Sequence, residues 1–585
     1  MLAAALAVLP LMIRGTSCGH DFDFHLVSWI DVLHSWRHGI FYPRWAPSPN
    51  FNAGEPRFIF YPPLTWMLGA ALGAVLPWTW VPVAMTFLLL ASSGLATRAL
   101  ARQVLPDAAA TLAGCIAIFS GYALYSAYER SALAELAGGF WIPLTLLLVL
   151  RPARAGSRFF GALDGSAVLL ALVVAGAWLS NAPVGVMTCY LLAAFALIVS
   201  GMRREWTPVL RAAVGAALGL GLAAFYLVPA AVEQRWVAIR QAVDDPGEQI
   251  QNSFLFGRHA DPQLLLHDVE LRRVSWIAVG MLTAALLALL VSWRRRTLPG
   301  GRRWWVPLAI IPAVVLLLQL PLSLPVWSVL PKLRFLQFPW RWLVAVEAPL
   351  GIFVAAAVRR QGPRDRGTKG PEHSASLGWI VPIACGVVFL GLTVLAGRVF
   401  FQICDRYDAV PGMLQAYGDG GGYEGTDEYA PPGADDSLVA QDLPGACLVS
   451  DPAVLLGKTT ADNPQPDWAP DQKSCVAAFN FQPVAKAPEL HKRIQAAIPA
   501  AGYLVLRLRR YPAWVVRVSG AAVMDMPERE DGLIAAPVPA GPVNVTADWA
   551  TTPDVRRGRW ISVLALVFIA AIAAAARRRS GGQLK

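Results

Sequence analysis

Charged side chains are scarce in this sequence. They make up 15% of the 585 residues, against 56% hydrophobic, where a soluble domain carries about 25% charged residues, and that scarcity excludes an ordinary soluble enzyme. The seven cysteines show neither a CxxC nor a Cys/His spacing of metal-binding type, which excludes a zinc-finger-like site and a redox motif. A long internal repeat is absent, and so is any low-complexity tract beyond the glycine run at 418–422. A basic stripe suited to nucleic acid is missing as well. The formal net charge is +11, but Lys and Arg gather in short clusters directly after apolar segments, which is a topology signal, so no nucleic-acid partner is expected.

What the sequence has instead is apolar length. Stretches near the roughly 20 residues that cross a bilayer recur, for example at 208–228, 274–290 and 561–576. The clusters at Arg98 and Arg102, 151–158, Arg203 and Arg204, 294–303, 359–369 and 577–579 belong on the cytoplasmic side. Placing them there requires about twelve crossings, near 2–15, 79–98, 108–126, 138–150, 164–180, 183–200, 208–229, 274–292, 304–320, 340–358, 378–398 and 559–576. The opening stretch 2–13 lacks the basic start and cleavage site of a signal peptide and reads as a first helix. The apolar stretch 62–76 would invert every later loop if it crossed, so it is expected to lie along the outer interface.

From about 400 to 557 the composition shifts to Gly/Pro/Asp-rich turns and partly alternating segments at 503–509, 514–518 and 536–545. The expected fold class is therefore a mainly α polytopic membrane protein with a C-terminal extracytoplasmic β-rich domain of sandwich type. The expected division is 1–398 transmembrane, with a long first outer loop at 14–61, then 399–557 β-rich, then 558–585 as a final helix with a short basic cytoplasmic tail. Cys115, Cys189 and Cys385 fall in apolar segments; Cys18, Cys404, Cys447 and Cys475 fall outside them, with Cys447 and Cys475 the pair considered for a disulfide.

The first loop holds four of the eight histidines, among them His20 and His25, together with Asp21, Asp23, Arg44, Glu55 and Arg57. Residues 24–38 show helical spacing of Phe24, Val27, Trp29, Ile30, Leu33 and Trp36, which predicts an amphipathic interfacial helix. If 21–25 is extended, Asp21, Asp23 and His25 share one side and converge on a metal ion or an acceptor. The bland alternative is that Asp21 and Asp23 cap the helix that follows. Transfer of a glycosyl group needs a base for the acceptor hydroxyl and cations for the departing phosphate. The short outer loop of Tyr128, Glu129 and Arg130 with Glu135 adds a second candidate acid, with a local Glu/Arg pair as its alternative, and Arg334 and Arg341 are candidates to grip phosphate, with interfacial anchoring as theirs.

The short first helix, the Asp soon after it, a long outer loop and a Tyr61-Pro62-Pro63-Leu64 sequence opening an interfacial helix resemble the GT-C superfamily of polyprenyl-phosphate-sugar-dependent glycosyltransferases. The likeness covers about residues 1 to 230. GHDFDFH at 19–25, the stretch 41–66, GYEGTDEYAPP at 422–432 and PAWVVRVSG at 512–520 look like bacterial membrane proteins called 6-pyruvoyl-tetrahydropterin synthase-related. The C-terminal half is similar to the outer domain of YfhO-like membrane proteins. The resemblance implies a GT-C-like fold and a glycosyltransferase at the extracytoplasmic face of the bacterial inner (cytoplasmic) membrane. It implies Asp21 as catalytic base, with Asp23 as rival, and His20, His25, Arg44, Glu55, Arg57, Tyr61, Glu129, Arg334 and Arg341 as substrate-binding. The partners it implies are a lipid-phosphate-linked sugar donor, membrane lipid, and a glycan, lipid or protein acceptor. Whether Asp21 and Asp23 hold a divalent ion such as Mg or Mn stays open, and a non-catalytic lipid or glycan transporter or cell-envelope assembly factor is the alternative function.

Overall fold

The computed structural model describes residues 1–585 apart from 152–164, 360–379, 440, 442, 451–474 and 582–585. Most of the basic clusters at 151–158 and 359–369 lies outside the described residues. The protein is mostly helical, and its helices begin where sequence chemistry places them. Pro82, Pro183 and Pro208 sit in first turns, where the missing N–H costs nothing. Ser120 and Asn181 cap their helices by accepting from the amides of Ala123 and Val184.

Among the described residues six helices are long and apolar enough to cross a membrane: Trp78–Ala101, Leu133–Leu150, Ala182–Arg203, Pro262–Arg294, Pro339–Val358 and Pro553–Ala575. Three more segments qualify only as bent pairs, broken by 41° after Ile118, 72° after Leu222 and 95° after Leu318, which brings the total to nine. The opening helices Leu2–Ala7 and Leu9–Arg14 and the apolar helices Gly165–Ser180 and Ala384–Val399 are shorter. Length and composition thus qualify six to nine of the expected crossings. The helix Pro63–Gly73 follows Tyr61 and Pro62, where the interfacial helix was expected.

Among the described residues the C-terminal β-sheet domain has eight strands: β1 Ala446–Val449, β2 Ala477–Phe479, β3 His491–Ile498, β4 Gly502–Arg509, β5 Trp514–Val518, β6 Ala521–Ala522, β7 Leu533–Val538 and β8 Gly541–Trp549. They form two antiparallel sheets in the orders β2-β1-β4-β7 and β3-β8-β5-β6. Leu448, Leu504 and Ile534 of the first sheet share one apolar core with Ile494, Trp514 and Val545 of the second, so the sheets pack face to face. Trp45 and Ile59 of the first loop enter the same core, which anchors that loop to the domain. Disulfides join Cys447 to Cys475 and, unforeseen from the sequence, Cys18 to Cys404.

The helix predicted over 24–38 is present as Phe22–Arg37, but it is not an amphipathic surface helix. His25, Trp29 and Asp31 are at most 1% exposed. The helix is covered on its polar side because His34 and His38 meet Glu489 of the β domain, and Asp31 receives the amide of Ser48 at 3.3 Å as well as its hydroxyl. Helical geometry also removes the side-by-side arrangement expected of an extended 21–25 segment: Asp21 and Asp23 face a cavity while His25 turns into the core.

Candidate functional site

A polar cavity of about 850 Å³ lies where the first loop, the 422–432 loop and the ends of several helices meet. Its first wall is built at Gly19. A Cβ there would collide with the backbone of Glu129 and Arg130, so only glycine lets the two segments touch. The Gly19 amide donates to Ser131 Oγ at 3.1 Å and the Asp21 amide to the Arg130 carbonyl at 2.9 Å. Asp21 occupies the N-cap position, yet its side chain makes no capping hydrogen bond, and its carboxylate, like that of Asp23, lines the cavity. The capping alternative therefore does not account for Asp21.

The second wall is cationic. Glu135, buried, lies between two guanidiniums: Arg130 Nη1 donates to its Oε2 at 2.8 Å and Arg341 Nε lies 3.2 Å from the same atom. Tyr122 donates its hydroxyl to Oε1. Arg130 also lies 4.0 Å from Glu270. Arg341, held over the Phe338 ring at 5.1 Å, makes no guanidinium hydrogen bond among the described residues beyond its ion pair, so it faces the cavity with donors to spare.

The third wall is the GYEGTDEY sequence. Phe51 donates its amide to the Tyr423 carbonyl at 2.8 Å, and Tyr423 its own to Ser48 at 3.1 Å. Asn50, Phe51 and Asn52 all take positive φ (53°, 49° and 69°) to make this approach, a backbone strain that non-glycine residues seldom accept. Glu55 fastens the contact. Its Oε2 accepts from the Thr426 amide at 3.0 Å and its Oε1 from Arg57 Nε at 2.6 Å. Glu428 in this wall is pushed up to about 7 by burial, and Glu248 opposite it is also raised by burial.

Of the residues expected to form the site, His20, Asp21, Asp23, Arg57, Tyr61 and Arg341 line the cavity. The others do not. His25 is buried, stacked on Trp29 at 5.9 Å, and burial holds its imidazole down to about 4. Glu55 is fully buried as the clamp just described. Glu129 pairs with Arg273 and sits outside the cavity; its partner is not the adjacent Arg130. Arg44 lies over Tyr42 at 5.4 Å and reaches the Phe225 carbonyl at 3.5 Å, away from the cavity. Arg334 is exposed and donates to Ser328 at 3.1 Å. Glu248, Glu270, Asp408, Glu424 and Glu428 are the lining acids that sequence reasoning did not single out as site residues; their one signal was position, between the crossings at 208–229 and 274–292, at the start of the segment after 400, and in the GYEGTDEY motif.

Acids outnumber cations in the lining: Asp21, Asp23, Glu248, Glu270, Asp408, Glu424 and Glu428 against Arg57, Arg130 and Arg341. Among the described residues no three ligating side chains gather at Asp21 or Asp23. What these two offer is the arrangement by which Mg²⁺ is held, one or two carboxylates completed by a substrate phosphate.

Fold and site define a polytopic membrane protein whose helical bundle carries a polar cavity at one end, roofed by loops that lead into a β-sheet domain. The chain belongs to the 6-pyruvoyl-tetrahydropterin synthase related family of membrane proteins, whose model matches residues 58–401, more than half of its length. Asp21 and Asp23 precede that match and the GYEGTDEY loop follows it. No curated protein matches the chain.

Proposed function

We propose that this protein is a membrane glycosyltransferase of GT-C type that takes sugar from a polyprenyl-phosphate-linked donor at the extracytoplasmic face of a bacterial inner membrane. The observation that carries this reading is the cavity that unites Asp21 and Asp23 with the Arg130–Glu135–Arg341 cluster. Arg341 has donors free for a phosphate and sits at the start of an apolar helix, where a lipid head group would lie. Asp21, uncommitted to capping, takes the proton of the acceptor hydroxyl as the sugar is transferred with inversion. Arg341 and Arg130 stabilise the charge that develops on the departing lipid phosphate. The acid surplus of the lining supports a divalent ion, Mg or Mn, held by Asp21 and Asp23 together with that phosphate, where it would supply further positive charge. The β domain guides the acceptor, a glycan, lipid or protein.

Two observations support the extracytoplasmic placement. The Cys18–Cys404 disulfide closes beside the cavity, and disulfides persist in oxidising compartments. The helix Leu265–Arg294 carries Glu270 at the cavity and Arg294 at its far end, about 36 Å apart at about 1.5 Å per residue, more than the hydrocarbon core.

A second reading, a lipid or glycan transporter, is favoured by one feature: three bent helix pairs, since transporters break their helices around midplane sites. Purified protein given a polyprenyl-phosphate sugar and a membrane-lipid extract separates the two. Transfer that falls about 100-fold or more in Asp21→Asn or Asp23→Asn, within the range of a lost general base, supports the enzyme. Donor binding without transfer supports the transporter, and transfer unchanged in both variants removes the site assignment.

A further inference from the structure

Away from the cavity, the first-loop helix and the β domain meet in a cluster of three ligating side chains. His34 and His38 lie four residues apart on Phe22–Arg37 and so project from one face. His34 Nε2 lies 3.2 Å and His38 Nδ1 2.8 Å from the same Glu489 oxygen, and the three ligand atoms fall within 4.8 Å of one another. We propose that His34, His38 and Glu489 form a binding site for a divalent transition-metal ion of Zn²⁺ type, which locks the first-loop helix to the β domain.

The spacing is what a helical pair of zinc-binding imidazoles needs, and imidazole with carboxylate suits such ions. In a tetrahedral Zn²⁺ site with bonds of about 2.0–2.1 Å, neighbouring ligand atoms are about 3.4 Å apart. The carboxylate oxygen, 3.2 Å and 2.8 Å from the two imidazole nitrogens, therefore recedes by about 0.2 and about 0.6 Å to reach that spacing. A second, independent feature points the same way. The Glu489 side chain is 4% exposed, and its other oxygen, Oε2, has no hydrogen-bond partner among the described residues, an arrangement that carries a penalty unless the charge is better satisfied. The two imidazoles are about one-third exposed, at 38% and 33% of the side chain. The ion thus has an entry path, and a water completes the fourth position. Tyr417, 6.0 Å from the His34 ring, belongs to the helix Val410–Gly418, whose Met413 and Ala416 line the cavity. The ion sits at the joint that holds the cavity roof.

The test uses the full-length protein purified in detergent and stripped with chelator. Titration with Zn²⁺ against a competing chelator is expected to show one equivalent bound, weakened by about tenfold or more in each of His34→Ala, His38→Ala and Glu489→Gln, and unchanged in His259→Ala, where the histidine is paired with Asp268 instead. Bound Co²⁺ in the unmutated protein is expected to give the intense visible bands of a tetrahedral site, a readout independent of whether any variant folds, and Zn²⁺ is expected to raise its Tm. Equal Zn²⁺ affinity in the unmutated protein and a His34→Ala/His38→Ala variant, or absence of the Co²⁺ bands, overturns the proposal and leaves a simple His–Glu hydrogen-bonded contact.

Discussion

Thr426 donates both its amide and its hydroxyl to the carboxylate of Glu55, at 3.0 Å and 3.2 Å, across 371 residues of chain. The same carboxylate pairs with Arg57, and both members of that pair are at most 2% exposed. One acidic side chain therefore ties the first loop, the 422–432 loop and a cavity-lining cation into a single unit.

Glu55→Ala leaves the Arg57 charge buried without its counter-ion, and removing one partner of a buried pair costs about 3 to 5 kcal/mol. Thr426→Ala keeps the amide bond and removes only the hydroxyl, which donates to Glu55 at 3.2 Å and accepts from Arg57 Nη2 at 3.3 Å, and is expected to cost about 1 kcal/mol. Thermal unfolding of the purified variants measures both. A Glu55→Ala protein as stable as Thr426→Ala would show that the clamp does not hold the roof.

Arg130 and Arg341 share Glu135 but are not equivalent. Arg341→Ala leaves Glu135 still bonded to Arg130 and Tyr122, so the fold is expected to survive. Loss of a charge-assisted contact worth about 1.5 to 3 kcal/mol should raise KM for a lipid-phosphate donor by about 10- to 100-fold. Arg130→Ala strips Glu135 of its best partner and Glu270 of its nearest cation, so its expected signature is lost stability. Donor titrations paired with melting curves distinguish them, and equal KM values in Arg341→Ala and the unmutated protein would dismiss Arg341 as a phosphate ligand.

His25 makes stability pH-dependent. Its folded pKa of about 4 lies below the ordinary 6.5 because burial disfavours the charged ring; Asp21 opposes this and Arg57 reinforces it. Between pH 6.5 and 4 the unfolded chain takes up a proton that the folded protein refuses, so stability falls as the pH drops through that window and the loss levels off below it. The loss is about 3 kcal/mol at most, at about 1.4 kcal/mol per pH unit. Unfolding curves at pH 7.5 and 5 should show about 2 kcal/mol of this loss in the unmutated protein and a smaller loss in His25→Phe. Identical losses in the two would place the acid sensitivity elsewhere.

Local chemistry made some of this legible in the sequence and three-dimensional contact hid the rest. Strands β4 and β5 alternate apolar and polar residues in part and could be anticipated; β1, with all four residues buried, has no alternation to find. Asp21 was visible because it follows the first helix in a loop that gathers Asp23 and four of the eight histidines. Glu135 was visible only as one of two acids in a short loop beside Arg130, because its place between two guanidiniums exists only where residues 130 and 341 converge. Asp31, His34 and His38 gave Phe22–Arg37 a polar stripe that reads as solvent-facing, and only the β domain placed over it shows that the stripe is an internal contact. Arg44 and Arg334 were chosen for their charge, and charge by itself does not say which side of a loop a long side chain will take.

Orientation is the assumption on which the extracytoplasmic chemistry rests, and it can be tested without any substrate. Met524 in the β domain is 90% exposed, and Arg296 follows the far end of the helix whose Glu270 lines the cavity. If the basic cluster at 294–303 faces the cytoplasm, the two positions lie on opposite sides of the membrane. In a background in which the free Cys115, Cys189 and Cys385 are replaced, Met524→Cys in intact spheroplasts should react fully with a thiol reagent that cannot cross the bilayer. Arg296→Cys should react only after permeabilisation. The reverse pattern would put the cavity in the reducing cytoplasm, where the Cys18–Cys404 bond would not persist and where a lipid-linked donor presented at the outer surface could not reach Asp21.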